Sequence, residues 1–211
     1  MVKKRGSLIS FEGGEGAGKS VQIKRLRDRL YKAGRDVVVA RDPGGTVIGE
    51  QIREILLSPK NVGIAYTTEV LLFQAARAQN FREIILPSMK AGKVVLADRS
   101  RDSSTVYQGI VRGFGVVLIE GLNDLATQKT YPDLTILLDV TVETGLGRRN
   151  STKHINRLDM EAREFHQKVR AAYLRLAKAD DHKRWVVVDA ERAIEEIADQ
   201  IWEEVKRRKV T

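Results

Sequence analysis

The residues best suited to chemistry form one glycine-rich run near the start of the chain. The pattern G-x-x-x-x-G-K-[ST] is matched there by Gly13, Gly14, Glu15, Gly16, Ala17, Gly18, Lys19 and Ser20. Glycines let backbone N–H groups turn inward around phosphate oxygens, and a following helix adds the positive end of its dipole. Lysine in such a loop bridges the β- and γ-phosphates, and the next hydroxyl is a ligand of Mg²⁺. The run therefore predicts a nucleoside triphosphate site, with Lys19 as a catalytic cation and Ser20 as a metal ligand.

Short apolar runs alternate with longer helical patterns, and these elements must position the loop. The apolar runs predict strands over Leu8–Glu12, Val37–Arg41, Val94–Asp98, Leu134–Asp139 and Trp185–Asp189. Helical periodicity covers Ser20–Ala33, Ile48–Leu57, Thr67–Ala91, Asp102–Arg112, Leu118–Gln128, Arg163–Ala177 and Ala193–Arg208. Strands that are apolar at successive positions suit a parallel sheet covered on both faces. We therefore expect one α/β domain over residues 1–211, a three-layer P-loop NTPase fold with a five-stranded parallel sheet flanked by helices.

Composition excludes several other kinds of site. The chain has 211 residues and no cysteine, which excludes disulfides, a cysteine nucleophile and thiolate metal sites. Its three histidines, His154, His166 and His182, lack the spacing of a metal site. Because no uninterrupted apolar run exceeds four residues, we expect no membrane partner and a cytoplasmic location.

The net charge of +9 raises the question of a nucleic-acid partner. Eleven basic residues lie in two tails and one internal stretch: Lys3, Lys4, Arg5, Arg148, Arg149, Lys153, Arg157, Lys206, Arg207, Arg208 and Lys209. The rest of the chain carries a net charge near −2. Basic ends of this density are usually solvated tails, so no nucleic-acid partner is expected.

Further motifs accompany the glycine-rich run in a definite order. They are Phe11-Glu12, Asp42-Pro43-Gly44-Gly45-Thr46, Leu71-Leu72-Phe73, Ala76-Arg77-Ala78-Gln79, Asp98-Arg99, Asp102-Ser103-Ser104, Tyr107-Gln108-Gly109, Pro132-Asp133-Leu134-Thr135, Leu138-Asp139-Val140 and Asn156-Arg157-Leu158-Asp159. In this order they resemble thymidylate kinases of the bacterial type over nearly the whole chain. The resemblance implies transfer of the γ-phosphoryl group of ATP to thymidine monophosphate (dTMP), giving dTDP and ADP. It also implies ATP and Mg²⁺ as cofactors and a homodimer.

Charged residues are the candidates for the acceptor phosphate, the sugar and the metal. A planar guanidinium can hold two oxygens at once, which suits Arg53 and Arg99 to a phosphate; an exposed helix arginine is the alternative for Arg53. Asp98 ends a strand at its carboxyl edge, where α/β ligand sites form, and we expect it to be catalytic with Arg99 and to orient Mg²⁺ or the acceptor phosphate. By resemblance, Glu15 binds the sugar 3′-hydroxyl, and Asp42 replaces the glutamate usual in its loop of the substrate site.

The candidates for the base lie on two helices. Phe73 and Arg77 are four residues apart and share one helix face. From spacing alone, core burial of Phe73 with a solvated Arg77 is favoured, whereas the resemblance implies that Phe73 stacks on thymine and Arg77 binds its O4 carbonyl. Ser104, Tyr107 and Gln108 also share one helix face. The resemblance implies that Ser104 and Gln108 lie near the base and that the Tyr107 ring crowds the sugar 2′ position.

The basic stretch over residues 148–157 corresponds to the short lid of the family. The phosphate loop contains no arginine, so a cation that stabilises the transferring phosphoryl group must come from elsewhere. Arg149, Lys153 and Arg157 are the candidates, with Arg149 and Arg157 taken as catalytic, and Arg148 is expected to lie against adenine as part of the ATP site. A solvated basic loop is the alternative.

Two other functions stay open. Ser100 stands where the family commonly has an aromatic residue or a histidine, so we expect it to loosen one wall beside the acceptor site. That change favours a broader-specificity P-loop kinase of nucleoside monophosphates. The second alternative is an ATP-switched nucleic-acid-binding protein, which would bind DNA through the basic tails with a steep dependence on salt.

Overall fold

One parallel sheet organises the chain. The computed structural model describes residues 5–150, 156–180 and 183–210. The strands of the described part are β1 (Leu8–Glu12), β2 (Val37–Arg41), β3 (Val94–Asp98), β4 (Leu134–Asp139) and β5 (Trp185–Asp189). They pair in parallel in the order β2-β3-β1-β4-β5. The predicted α/β fold and all five predicted strands are confirmed.

Helices connect the strands and cover both faces of the sheet. Their bounds are α1 (Lys19–Lys32), α2 (Val47–Leu57), α3 (Tyr66–Asn80), α4 (Leu86–Lys90), α5 (Arg101–Ser104), α6 (Val116–Thr127), α7 (Val142–Asn150), α8 (Arg163–Lys178) and α9 (Ile194–Arg207). A 3₁₀ turn at Pro59–Asn61 follows α2. Two π-helical segments, Phe81–Ile85 and Thr105–Val111, continue α3 and α5. Segments of this kind are frequent at functional sites.

The core forms two layers because successive strand residues face opposite sides of the sheet. On one side, Ile9 and Phe11 belong to a buried cluster with side chains of α1 and α9. On the other side, Leu8 and Val95 pack with the π segment after α3, and Leu137 packs with residues of α8. This arrangement gives the three layers that the strand–helix alternation predicts. None of the described helices has the length and apolar character needed to cross a membrane.

The carboxyl ends of the strands lie along one edge of the sheet. β1 ends at Glu12 and β3 at Asp98, and the register pairs Phe11 with Asp98. The loop after β1 therefore starts beside the end of β3, with β2 and β4 on either side. In open α/β sheets this edge is where ligands bind.

Candidate active site

The phosphate loop connects β1 to α1 and is shaped by glycines. Gly13, Gly16 and Gly18 have φ angles of 141°, 67° and 87°, which other residues rarely adopt. The Lys19 ammonium is buried and donates to the carbonyl oxygens of Gly13 and Gly14, at 3.1 and 2.9 Å. Burial and the nearby Arg99 lower the pKa of Lys19 to about 8, although Glu15 and Asp98 act in the opposite direction.

Two oxygen ligands suited to Mg²⁺ stand next to the loop. The Ser20 hydroxyl donates to Asp98 Oδ2 at 3.2 Å, so a hydroxyl and a carboxylate are adjacent at the carboxyl end of β3. Mg²⁺ prefers hard oxygen ligands and is commonly held by one or two protein groups together with substrate phosphates and water. No group of three or more acidic, histidine or cysteine side chains that could hold a metal occurs among the described residues. The Ser20 hydroxyl and the Asp98 carboxylate therefore fit the one or two protein ligands that Mg²⁺ commonly takes.

Arg99 follows the last residue of β3 and contacts the phosphate loop. Its φ of 67° is in the left-handed region, and its Nη2 donates to Glu15 Oε1 at 2.8 Å. Tyr107 donates to the same Glu15 oxygen at 3.1 Å. Burial acts to raise the pKa of Glu15, but Arg99 and Lys19 outweigh it and lower the pKa to about 2. Burial also raises the pKa of Tyr107, so Glu15 is an anion and the Tyr107 phenol is a neutral donor at physiological pH.

A buried arginine forms the far end of the site. Arg77 Nε donates to Asp42 Oδ2 at 2.6 Å, and its Nη1 donates to Ser104 and Asn123 at 2.9 and 2.8 Å. Only 1% of Arg77 is exposed, so the interpretation of a solvated Arg77 is wrong. Burial raises the pKa of Asp42, although Arg77 opposes this effect. Asp42 Oδ1 is buried and has no hydrogen-bond partner among the described residues.

One cleft of about 500 Å³ joins these groups. Most of the predicted site residues line it: Glu15, Gly16, Ala17, Gly18, Lys19, Ser20, Asp42, Arg53, Phe73, Arg77, Asp98, Arg99, Ser104, Tyr107, Gln108, Arg148 and Arg149. Arg53 is half-buried and donates to the Pro43 carbonyl at 2.7 Å, which differs from the exposed helix arginine considered as its alternative. The cleft thus connects a phosphate loop to a pocket with an aromatic ring and several arginines.

The family follows from comparison with known proteins. The family model described as Thymidylate kinase matches residues 11–201. This chain belongs to the thymidylate kinase family. A thymidylate kinase of Caldanaerobacter subterraneus subsp. tengcongensis is 46% identical over 185 residues, which are 88% of each chain. A thymidylate kinase of Geobacillus sp. (strain WCH70) is 45% identical over 92% of each chain. One from Halothermothrix orenii is 45% identical over 96% of this chain and 97% of the relative.

Three predicted site residues of this family member do not line the cleft. Gly13 and Gly14 act through the carbonyls that hold Lys19, as described above. Arg157 lies elsewhere: its side chain is buried, Nη2 donates to Glu69 Oε2 at 2.6 Å, and Nε donates to the Leu56 carbonyl at 3.0 Å. The structure therefore places Arg157 in an ion pair on α3 and not over the phosphate loop.

The other lid candidates lie at the end of a helix that the sequence did not predict. Arg148 and Arg149 belong to the last turn of α7, where a loop was expected. Arg148 Nη1 donates to the Ala190 carbonyl at 3.1 Å, and Arg149 Nε donates to Asp159 Oδ2 at 2.9 Å. That hydrogen bond raises the pKa of Arg149. Lys153 lies outside the described residues, and so do residues 151–155 of the predicted lid.

The structure places Ser100 in the interior. The residue is 1% exposed and is absent from the lining of the cleft. Its backbone N–H donates to Glu12 Oε1 at 2.8 Å, and its hydroxyl has no hydrogen-bond partner among the described residues. The expectation that a serine here loosens one wall beside the acceptor site stays a prediction.

Three buried polar residues that support the arginines of the site were not predicted from the sequence. Glu12, Asn123 and Tyr173 are buried and hydrogen-bond to Arg99 or Arg77, directly or through one side chain. A signal existed for Glu12, because a carboxylate inside a strand that is buried on both faces requires partners. Asn123 gives a weaker signal of the same kind, as a polar residue on the inward face of an amphipathic helix.

Proposed function

We infer that this chain phosphorylates dTMP with ATP, giving dTDP and ADP, the reaction of its family. The observation that carries the inference is the continuity of one cleft from the phosphate loop to the pocket around Phe73 and Arg77. A single phosphate site would suit any P-loop NTPase, whereas a second, aromatic pocket with arginines suits a nucleoside monophosphate. Holding both nucleotides in one cleft makes the transfer effectively unimolecular.

At the ATP end, we propose that loop amides and Lys19 hold the phosphates and that Ser20 and Asp98 hold Mg²⁺. A bound Mg²⁺ would neutralise charge on the β- and γ-phosphates. Lys19 is already directed across the loop by two backbone carbonyls, so little reorganisation accompanies ATP binding. Arg148, which contacts Ala190 after β5, is the proposed neighbour of adenine.

At the acceptor end, we propose that Arg99 and Arg53 bind the phosphate of dTMP. Phe73 would stack on thymine, and Arg77 would donate to its O4 carbonyl. Support comes from the network around Arg77, because Asp42, Ser104 and Asn123 take its Nε and Nη1 and fix the guanidinium plane. A fixed donor discriminates between bases better than a mobile one.

The remaining contacts of the nucleoside are assigned to four side chains. Ser104 and Gln108 lie on one side of the pocket, where Gln108 Nε2 is held by Glu69 at 2.9 Å. Tyr107 would exclude a ribose 2′-hydroxyl, and Glu15 would accept from the 3′-hydroxyl. The short contact between Tyr107 and Glu15 supports placing both beside the sugar.

Arg149 is the proposed lid cation. It lines the cleft together with the phosphate loop, whereas Arg157 is held in a buried ion pair. An arginine directed at the transferring phosphoryl group stabilises charge that develops in the transition state. We also propose that the chain works as one kinase domain, since strands from Leu8 to Asp189 share one sheet. A cytoplasmic location stays a prediction.

A coupled ADP-release assay tests the proposed reaction. Turnover is measured with ATP and Mg²⁺ and with dTMP, dUMP, dCMP, dGMP, dAMP or UMP as acceptor. We expect dTMP to dominate, and Lys19→Ala to lower kcat by roughly 10²–10³-fold. Lys24→Ala is the matched control, because Lys24 lies on the same helix and is exposed.

Other outcomes of this assay point to the alternatives. Similar turnover with several bases would replace the proposal by a broader-specificity kinase, the alternative that Ser100 raised. No acceptor-dependent turnover would reject the kinase. A steeply salt-dependent binding of DNA would then favour the ATP-switched binding protein.

We further propose that two copies of the chain associate through α3 and α6. Their outward sides carry exposed small or apolar residues at helical spacing: Leu71, Ala75, Leu118, Gly121 and Leu125. We call this set the apolar face. Leu125 is 79% exposed and Leu118 53%, which is costly to leave in water. Small residues between leucines allow two helix pairs to approach closely, and a self-complementary patch suits a two-fold dimer.

A further inference from the structure

A buried group of polar side chains surrounds the Nη1 end of Arg99. Tyr173 comes from α8, Ser103 from α5 and Glu12 from the end of β1. Arg99 Nη1 donates to the Tyr173 hydroxyl at 3.2 Å and to Ser103 Oγ at 3.3 Å. Tyr173 and Glu12 are 1% and 0% exposed. Three separate elements of the fold thus converge on one end of a single guanidinium.

Two hydroxyls and one carboxyl share the hydrogen bonds of this group. The Tyr173 and Ser103 hydroxyls donate to Glu12 Oε2 at 2.8 and 2.6 Å and lie 2.9 Å from each other. Their lone pairs are then left to accept from Arg99. The other oxygen of Glu12 accepts from Ser10 Oγ at 3.0 Å and from the Ser100 N–H at 2.8 Å. With both oxygens occupied, the Glu12 carboxyl has no room to turn.

These contacts determine where the rest of Arg99 lies. Nη1 is held by the two hydroxyls, so Nη2 is directed to Glu15 and the guanidinium faces the cleft. Burial and Glu12 raise the pKa of Tyr173 well above its ordinary value, so its hydroxyl keeps the proton that it donates. Hydroxyls hold Arg99 without neutralising it, whereas a second direct carboxylate would compete with a bound phosphate for the cation.

We propose that Tyr173 is a positioning residue for the acceptor phosphate. Its hydroxyl, fixed by Glu12, holds the Arg99 guanidinium in the orientation that grips the phosphate of dTMP. This role rests on the proposed function, in which Arg99 binds that phosphate. Tyr173 itself does not line the cleft, so it acts through Arg99 and without contact to the substrate.

Tyr173→Phe tests the role, because it removes one hydroxyl and keeps the ring in the core. The KM for dTMP should rise roughly ten- to a hundred-fold, the range for loss of a hydrogen bond to a charged group. The inhibition constant of thymidine, which lacks the phosphate, should stay within about twofold. The KM for ATP should also be unchanged. A variant that only destabilised the fold would weaken the binding of thymidine and of ATP as well.

Three further variants sharpen the test. Ser103→Ala removes the other hydroxyl and should also raise the KM for dTMP, but Ser103 lines the cleft, so only Tyr173→Phe isolates the effect through Arg99. Adding Tyr173→Phe to Arg99→Ala should have no further effect on the KM for dTMP, since Tyr173 acts through Arg99. Tyr31→Phe is the matched control, because Tyr31 is 52% exposed and donates to the Val37 carbonyl at 3.0 Å.

The outcomes separate this role from the proposed function. If the unaltered chain turns over dTMP, any of three results would overturn the positioning role. These are equal weakening of dTMP and thymidine binding in Tyr173→Phe, no change in its KM for dTMP, or an additive effect on that KM in the double variant. Absence of dTMP turnover in the unaltered chain would reject the proposed function, and the positioning role with it.

Discussion

Single residues of the site owe their charge states to burial and to close neighbours. Lys19 has a pKa of about 8 because it is buried near Arg99, whereas Glu15 has a pKa of about 2 because Arg99 and Lys19 outweigh its burial. The free site therefore holds an anion throughout the physiological range and a lysine that titrates just above it. Phosphates bind the charged form of Lys19, so pH changes above neutrality act on ATP binding.

We expect kcat/KM for ATP to fall as the pH rises through about 8, because that parameter follows the pKa of the free enzyme. The break in kcat should lie at higher pH, since bound phosphates stabilise the ammonium. The pKa of Lys19 is about 8 in the folded chain, against the ordinary lysine value of 10.5 in the unfolded chain. Between these two pH values the unfolded chain binds more protons, so the contribution of Lys19 to folding stability rises with pH. Steady-state rates from about pH 6 to about pH 10 measure the profile.

Lys19→Arg provides the comparison for this profile, because a guanidinium does not titrate in that range. The residual activity of Lys19→Arg should show no break near pH 8, while Lys24→Arg should keep it. A break that persists in Lys19→Arg would assign the titration to another group.

At the scale of elements, the phosphate loop depends on α7, a helix that the sequence did not predict. The segment Val142–Asn150 contains two glycines, which lowers its intrinsic helix propensity. Gly145 packs directly on the loop, where an added Cβ would lie 2.5 Å from the Glu15 carbonyl. The helix therefore forms through a tertiary contact that local patterns do not contain. The same glycine that weakens the helical pattern permits the close approach.

Gly145→Ala should push the phosphate loop out of place and lower kcat/KM for ATP by at least about tenfold. Gly147→Ala is the matched control on the same helix, because nothing lies within 4 Å of its added Cβ. That control should keep its activity and gain about 0.5–1 kcal/mol of stability from the alanine. Steady-state kinetics and thermal unfolding of both variants measure the difference. Equal activity of the two variants would contradict the packing argument.

A second element-scale contact joins α3 to the segment after residues 151–155. Glu69 is fully buried and pairs with Arg157 at 2.6 Å. Arg157→Ala should cost about 1.5–3 kcal/mol of unfolding free energy, because the buried Glu69 carboxylate loses its shortest ion pair and keeps only Arg112 at 3.6 Å and Gln108 at 2.9 Å. Arg163→Ala, which removes an exposed pair with Glu143, should cost less than about 1 kcal/mol. Urea unfolding measures both. A large loss of kcat without loss of stability in Arg157→Ala would restore the catalytic interpretation.

For the whole molecule, the sequence predicted the strands of the sheet but not their order, and the site in part. Each strand is a short, mainly apolar run of five or six residues between helical patterns, and all five bounds agreed with the structure. The phosphate loop was equally clear because its residues are consecutive. The contact between Glu12 and Tyr173 joins residues 161 positions apart, and no local pattern connects them. The buried ion pair of Arg157 was missed for the same reason, because burial is a property of the folded chain.

The apolar face bears on the site as well as on assembly. α3 carries Phe73 and Arg77 towards the cleft, and α6 carries Asn123, which accepts from Arg77 at 2.8 Å. The opposite sides of both helices form the apolar face. Contacts between two copies would therefore involve the two helices that carry Phe73, Arg77 and Asn123.

Charges placed on the apolar face should separate the proposed dimer. We expect the unaltered chain to have twice the mass of one chain by light scattering. The double variant Leu118→Glu with Leu125→Glu should have the mass of a monomer, because carboxylates buried in the interface without partners cost several kcal/mol. The KM for dTMP should rise with dissociation, while the KM for ATP changes less. Ile194→Glu is the matched control, since Ile194 is 47% exposed at the start of α9, where a carboxylate suits the helix dipole. A monomeric mass for the unaltered chain would reject the dimer and leave the apolar face without an assigned role.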